Sequence, residues 1–96
     1  GAVTVTTGRR LRDQGWPDGA ETIVVMLDGA CGFQHLQPEA LHIWWGGFLG
    51  MAEEVLDSGP LAEAGPRILR TRAQARARHG WIMDTYLLRR SDADAP

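Results

Sequence analysis

The chain has 96 residues, 44% of them hydrophobic and 23% charged, with a formal charge of −2; this is one domain's worth of sequence with a globular composition, and it excludes intrinsic disorder. No apolar run approaches the ~20 residues of a membrane helix, because the richest window, LHIWWGGFLGM, gives way to Glu53 and Glu54. The N-terminal GAVTVTTGRR shows no charged leader followed by an apolar block, and Cys31 is the only cysteine, so no internal disulfide can form and a reducing, cytoplasmic setting is expected.

In chain order, AVTVTT is β-branched and alternating, which predicts a strand with Val3 and Val5 on one face and Thr4 and Thr6 on the other. GRRLRDQGWPDGA reads as a connector, with Pro17-Asp18-Gly19 as a turn. TIVVMLD is the clearest strand, and its unbroken apolar run from Ile23 to Leu27 points to burial on both faces or a central place in the sheet. GFQHL is expected as the next strand, reached by a hairpin link through Asp28, Gly29, Ala30 and Cys31.

Pro38 then predicts the start of a helix, with Glu39 favouring the positive end of its dipole. Leu41, Trp45, Phe48, Ala52 and Val55 recur at helical spacing, and Asp57-Ser58-Gly59-Pro60 marks a stop, so the helix is expected over residues 38–57. Gly46, Gly47 and Gly50 lie inside it, each costing about 0.8–1 kcal/mol against alanine. The compensation expected is close approach of another backbone. LAEAGPRILRTRAQARARHG reads as a second helix, which Pro66 could open. Its strict alternation would also suit a strand with one guanidinium face, but alanine is depleted in strands. WIMDTYLLRR is expected as a closing strand at the sheet edge, and SDADAP, residues 91–96, as a polar mobile tail after a single domain over residues 1–90. The fold class expected is α+β: a small antiparallel sheet of three to four strands packed against two helices.

Every basic residue is arginine, and residues 1–66 hold three arginines against nine acidic residues, whereas residues 67–90 hold seven against Asp84. Opposed blocks of this kind can neutralise one another. Arg67, Arg70, Arg72, Arg76 and Arg78 form a possible nucleic-acid contact, yet no zinc-finger spacing, paired aromatic motif or glycine clamp accompanies them.

Cys31, His35, His42 and His79 are the only soft or imidazole ligands. They lack the close pairs of a structural zinc site, so no metal is expected. GGFLG lies within the helical pattern and not between a strand and a helix, so no nucleotide motif or cofactor is expected either. A small enzyme would have to use a pocket near Asp28, Cys31, His35 and His42. The strongest anomaly is HIWWGGFLGM, two indoles and a phenylalanine among three glycines. Trp44, Trp45, Gly46, Phe48 and Gly50 are therefore read as an interface, and the leading functional expectation is a small non-catalytic binding or assembly module, a homodimer or a partner of another protein.

Overall fold

The computed structural model describes residues 3–26 and 28–90; Leu27, the last residue of the expected second strand's apolar run, and the expected tail lie outside the described residues. The elements run β1 (Val3–Thr7), α1 (Gly8–Gln14), β2 (Thr22–Met26), a single 3-10 turn (Gly32–His35), β3 (Leu41–Gly47), β4 (Val55–Pro60), α2 (Leu61–His79) and β5 (Asp84–Arg90). The fold is α+β, as expected, but the sheet has five strands in the order β1-β2-β5-β3-β4. It is mixed, not antiparallel: β1 runs parallel to β2, with Val5 beside Val24, while β5 is antiparallel to both β2 and β3.

A parallel pair cannot be joined by a tight turn and needs a crossover. The expected connector GRRLRDQ supplies it as α1, whose first turn is capped by Thr7 Oγ1 accepting from the Arg10 amide at 3.2 Å. Thr7 is read in sequence as the end of a strand; the same residue serves as strand terminus and helix cap.

The largest correction concerns residues 38–57. The expected helix is instead a β-hairpin, β3 and β4 paired from His42–Pro60 to Gly47–Val55 around a turn at residues 48–54. Apolar side chains lie on both faces of β3, so a helical and a two-residue period fit the same letters. The glycines decide between them. A Cβ on Gly46 would stand 2.6 Å from Leu49 Cδ2 and 3.2 Å from Leu56 Cδ2: what approaches is not another backbone, as expected, but side chains of the turn and of β4 lying over the strand. Gly59 and Pro60 end a strand, and Pro60 is followed directly by α2.

Three smaller expectations also change. GFQHL is the 3-10 turn and not a strand, entered through Cys31 in the left-handed region at φ 54°. Pro66 lies inside α2 and does not open it, sacrificing one backbone hydrogen bond. The closing strand, β5, sits between β2 and β3 in the middle of the sheet and not at its edge. The arginine-rich segment is helical, as read, and ends at Gly80, whose left-handed conformation lets its amide donate to the Arg76 carbonyl at 2.8 Å.

Both helices and the 3-10 turn cover one face of the sheet. Ile23 and Val25 from β2, Ile43 and Trp45 from β3, and Tyr86 and Leu88 from β5 point into this layer and meet Leu61, Ala64 and Ile68 of α2 and Leu11 of α1. Residues paired across the ladder share a face, so the other side presents Val5, Val24, Leu87, Trp44 and Ser58 in one row across all five strands. No element covers that row among the described residues.

Gly8 is the point where α1 meets the β2 exit. A Cβ there would overlap the Asp28 carboxyl group, whereas one on Gly29 would meet nothing within 4 Å. Gly8→Ala is therefore expected to lower stability by about 1–3 kcal/mol, read as a shifted urea midpoint, with Gly29→Ala close to neutral. Equal midpoints for the two variants would contradict this packing.

Candidate functional site

Two features stand out once the strands are placed: a buried polar junction on the helix side and an open apolar groove on the other.

The junction is built from residues that sequence reasoning assigned to separate roles. Asp28, buried at the end of β2, accepts hydrogen bonds from the Gly32 amide at 2.5 Å, the Tyr86 hydroxyl at 2.5 Å and Arg12 Nη1 at 3.0 Å. Beside it, Arg72 is buried on α2 and forms a bidentate pair with Asp84, Nε to Oδ2 at 2.7 Å and Nη2 to Oδ1 at 3.2 Å. Its Nη1 reaches the Gly29 carbonyl at 3.4 Å and Cys31 Sγ at 2.9 Å. Asp84 Oδ2 also accepts from the Trp45 indole at 2.6 Å. Every one of these charges is paired and hydrogen-bonded, as burial demands.

Beside these charged pairs, two side chains of the junction, Tyr86 and Cys31, are held in their neutral forms. Burial, reinforced by the hydrogen bond to Asp28, pushes the Tyr86 hydroxyl far above the usual phenol range. Burial likewise raises the Cys31 thiol, with the neighbouring Arg72 charge pulling only partly the other way. A buried thiol held above its ordinary value is a poor nucleophile at neutral pH. The pocket expected around Asp28, Cys31, His35 and His42 is not assembled: Asp28 and Cys31 meet, but His35 is exposed on the 3-10 turn and His42 lies on the opposite side of the sheet, its ring 4.2 Å from that of Trp44. No cluster of His, Cys, Asp and Glu among the described residues could hold a metal ion.

The arginine run divides similarly. Arg72 is consumed by the junction, and Arg67 pairs with Asp57 through two hydrogen bonds of 3.0 and 3.1 Å and also reaches the Ser58 carbonyl. Arg70, Arg76 and Arg78 are exposed. Two of the five guanidinium groups are thus ties between α2 and the sheet, and three face solvent.

The expected interface set splits too. Trp45 is 2% exposed and Phe48 is equally buried, its ring packed edge-on against Trp81 at 5.0 Å and His79 at 5.3 Å. Gly50 lies in the exposed turn, and Gly46 is buried under Leu49. Within that set only Trp44, 42% exposed, presents an indole outward. It forms one wall of a groove of about 660 Å³ on the open face, lined also by Val24, Leu49, Leu56, Thr85 and Leu87. Sequence reasoning placed none of these five in a site. The available signal is the two-sided apolar run of β2, which puts Val24 and Met26 opposite Ile23 and Val25.

Comparison with known proteins bears on what this arrangement serves. No protein-family model matches the chain. The chain is 51% identical over 88 residues, 92% of its length, to a curated precorrin-6A synthase [deacetylating] of Sinorhizobium sp. Its backbone superposes with a TM-score of 0.87 and 43% identity on the crystal structure of a cobalamin synthesis related protein (CobF) from Corynebacterium diphtheriae, over 95% of this chain. The chain spans about a third of each: 33% of the curated relative and 38% of the solved chain. A relative that is an enzyme, matched along nearly the whole chain, overturns the expectation of a non-catalytic assembly module acting as a homodimer. Of the residues behind that expectation, Trp45 and Phe48 belong to the core and Gly46 and Gly47 to the hairpin, while Trp44 stays on the open face. Among the described residues no helix is long and apolar enough to cross a membrane.

Removing Arg72 leaves the largely buried Asp84 carboxylate with its indole contact alone. Arg72→Ala is expected to cost about 3–5 kcal/mol, while Arg67→Ala, at a solvent-exposed pair, should move the urea midpoint much less. Comparable losses in the two variants would refute the junction's role. The Tyr86 shift also carries a sign. Its folded value lies above the unfolded one, so the contribution is complete below about pH 10, the ordinary phenol value, and drains away as pH rises beyond it. The stability difference between native protein and Tyr86→Phe should therefore shrink between pH 9 and 11; a difference that stays constant across that range would count against the buried hydrogen bond to Asp28.

Proposed function

We propose that this chain is a structural part of an enzyme of cobalamin synthesis that forms precorrin-6A with loss of an acetyl group, working in the cytoplasm. The observation that carries this reading is the 51% identity across 92% of the chain to a deacetylating precorrin-6A synthase, supported by the same backbone in a cobalamin synthesis related protein. A buried, free Cys31 is compatible with a reducing compartment.

The chain's own chemistry defines its share of the work. Asp28, Asp84, Arg12 and Arg72 are committed to one another and to backbone groups, so they rigidify the sheet and are not presented to a substrate. The same junction fixes the strand positions that shape the open groove, whose mainly apolar lining includes the polar residues Asp57, Ser58, Thr85 and Tyr86. A preorganised wall of this kind is what a reaction centre needs from the parts of the protein that do not react. Acid, base and other reacting groups come from the remainder of the enzyme.

Grafting tests the reading. Replacing the 88 matched residues of the Sinorhizobium enzyme by this chain should give a chimera that forms precorrin-6A and releases the acetyl group at a rate within about tenfold of the parent, a loss under about 1.4 kcal/mol in transition-state stabilisation. Product is read by chromatography and mass. A folded, stable chimera with no turnover would remove the proposal.

A further inference from the structure

The open face of the sheet lacks the composition of a surface meant for water. An antiparallel sheet with one wet face alternates apolar and polar residues, and parallel strands are almost always covered on both sides. Here the parallel pair places Val5 beside Val24, and the row continues through Leu87 and Trp44. Val5 is 63% and Leu56 67% exposed. With strands about 4.8 Å apart and about 3.3 Å of rise per residue, the face measures roughly 20 by 17 Å, a size at which exposed apolar patches mark contact surfaces. Arg89 supplies the one formal charge among its strand residues. The outward side of α2 is the opposite case, with Arg70, Gln74, Arg76 and Arg78 all exposed to solvent.

Resting on the functional reading above, we infer that this face docks the part of the enzyme lying outside the matched third, so that a second apolar layer of that part closes over Val5, Val24, Leu87, Trp44 and Leu56. The argument for this occupant is one of mass and chemistry. The relatives are close to three times the length covered by this chain, and the remainder has to be laid against it. The outward side of α2, studded with arginines, offers that remainder less hydrophobic gain, its apolar surface being confined to a smaller pocket beside Phe33, Leu36 and Leu69, whereas the open face offers several large side chains at about 25 cal/mol per Å² of area buried. The sequence of β2 carries the same message independently: Ile23, Val24, Val25 and Met26 form a continuous apolar run suited to burial on both sides, of which the structure covers one. Domains built from a single sheet and one helical layer bury only one side of such a strand. The groove between Trp44 and Leu56 then receives side chains of the covering layer, and the missing side chain of Gly46 lets Leu49 lie against the sheet as part of the groove's lining.

The test uses the full-length chimera and the native Sinorhizobium enzyme. A photo-crosslinking phenylalanine derivative is placed at Val5 or Leu56, or at the aligned positions of the native enzyme, with Arg70 and Arg76 as controls on the helix side. All four positions are exposed in this chain, so the substitutions disturb no core contact. Irradiation should give cross-links from the first two positions, and at least fivefold fewer from the controls, to peptides outside the 88-residue match within one polypeptide of unchanged mass. Cross-links between two copies, seen as a band of doubled mass, would overturn the inference in favour of a subunit interface. Absence of protein cross-links at Val5 and Leu56 would overturn it in favour of a solvent- or ligand-facing surface. Cross-links are read in the native enzyme whether or not the chimera turns over. An active chimera without internal cross-links sinks the docking alone, and an inactive folded chimera with them sinks the function alone.

Discussion

The pairing of Arg72 with Asp84 is the constraint on which the remaining architecture depends. Asp84 opens the central strand β5 and takes hydrogen bonds from Arg72 on α2 and from the indole of Trp45 on β3. Arg72 in turn holds the Gly29 carbonyl and the Cys31 sulfur, which sets the loop that carries the 3-10 turn. A single bidentate contact thus fixes the long helix, two adjacent strands and a loop relative to one another. Guanidinium suits this position because its planar fork can satisfy a carboxylate with two bonds and still direct a third donor elsewhere, which an ammonium cannot do. The arrangement is costly to desolvate and contributes uniqueness of structure more surely than net stability.

The neighbouring Asp28 cluster works on the same principle. Its carboxylate takes a tyrosine hydroxyl, a backbone amide and an arginine, so the exit of β2, the start of the 3-10 turn, helix α1 and strand β5 converge on one group. Gly8 lies against it because no side chain could. The two clusters share a neighbourhood and explain why acidic and basic residues can be buried in a 96-residue chain: each charge meets an opposite charge and additional donors or acceptors. Within the arginine run, Arg72 is directed inward to Asp84 and Arg67 to Asp57, so the opposed charge blocks seen in sequence meet in part inside the chain.

Local patterns were legible where one period dominated. The β-branched alternation of residues 3–7, the apolar run of β2, the propensity of α2 and the strand before Arg90 all read correctly, because each pattern favours one conformation over its alternatives. Residues 38–57 did not read correctly, and the reason is specific. Leu41, Ile43 and Trp45 face the core while His42, Trp44 and Gly46 face outward, but Trp44 is itself apolar, so the alternation is masked and spacings of three and four arise by accident. The discriminating letters were Gly46 and Gly47, which a helix tolerates poorly and a strand under a folded-back turn requires. Helix α1 was missed because its seven residues carry too short a period, and its cap, Thr7, was counted as strand. The mixed topology was not legible at all: parallel pairing is set by which loop crosses over which helix, and no local pattern encodes it.

The candidate site shows the same division between local and non-local information. Trp44 was singled out for the right property, an indole that this chain does not cover, yet Trp45 and Phe48 beside it are core. Adjacent residues on a strand point to opposite sides, so the pair of indoles was bound to split as soon as the segment proved extended. Val24 and Leu87 belong to the same surface as Trp44 although they are distant from it in sequence, and their contribution follows only from the register that sets them in one row. An apolar row built from several strands is spread over residues that individually look ordinary in the sequence. Exposed apolar patches of this kind mark interaction sites or ligand grooves, and the docking inferred above assigns this one its occupant.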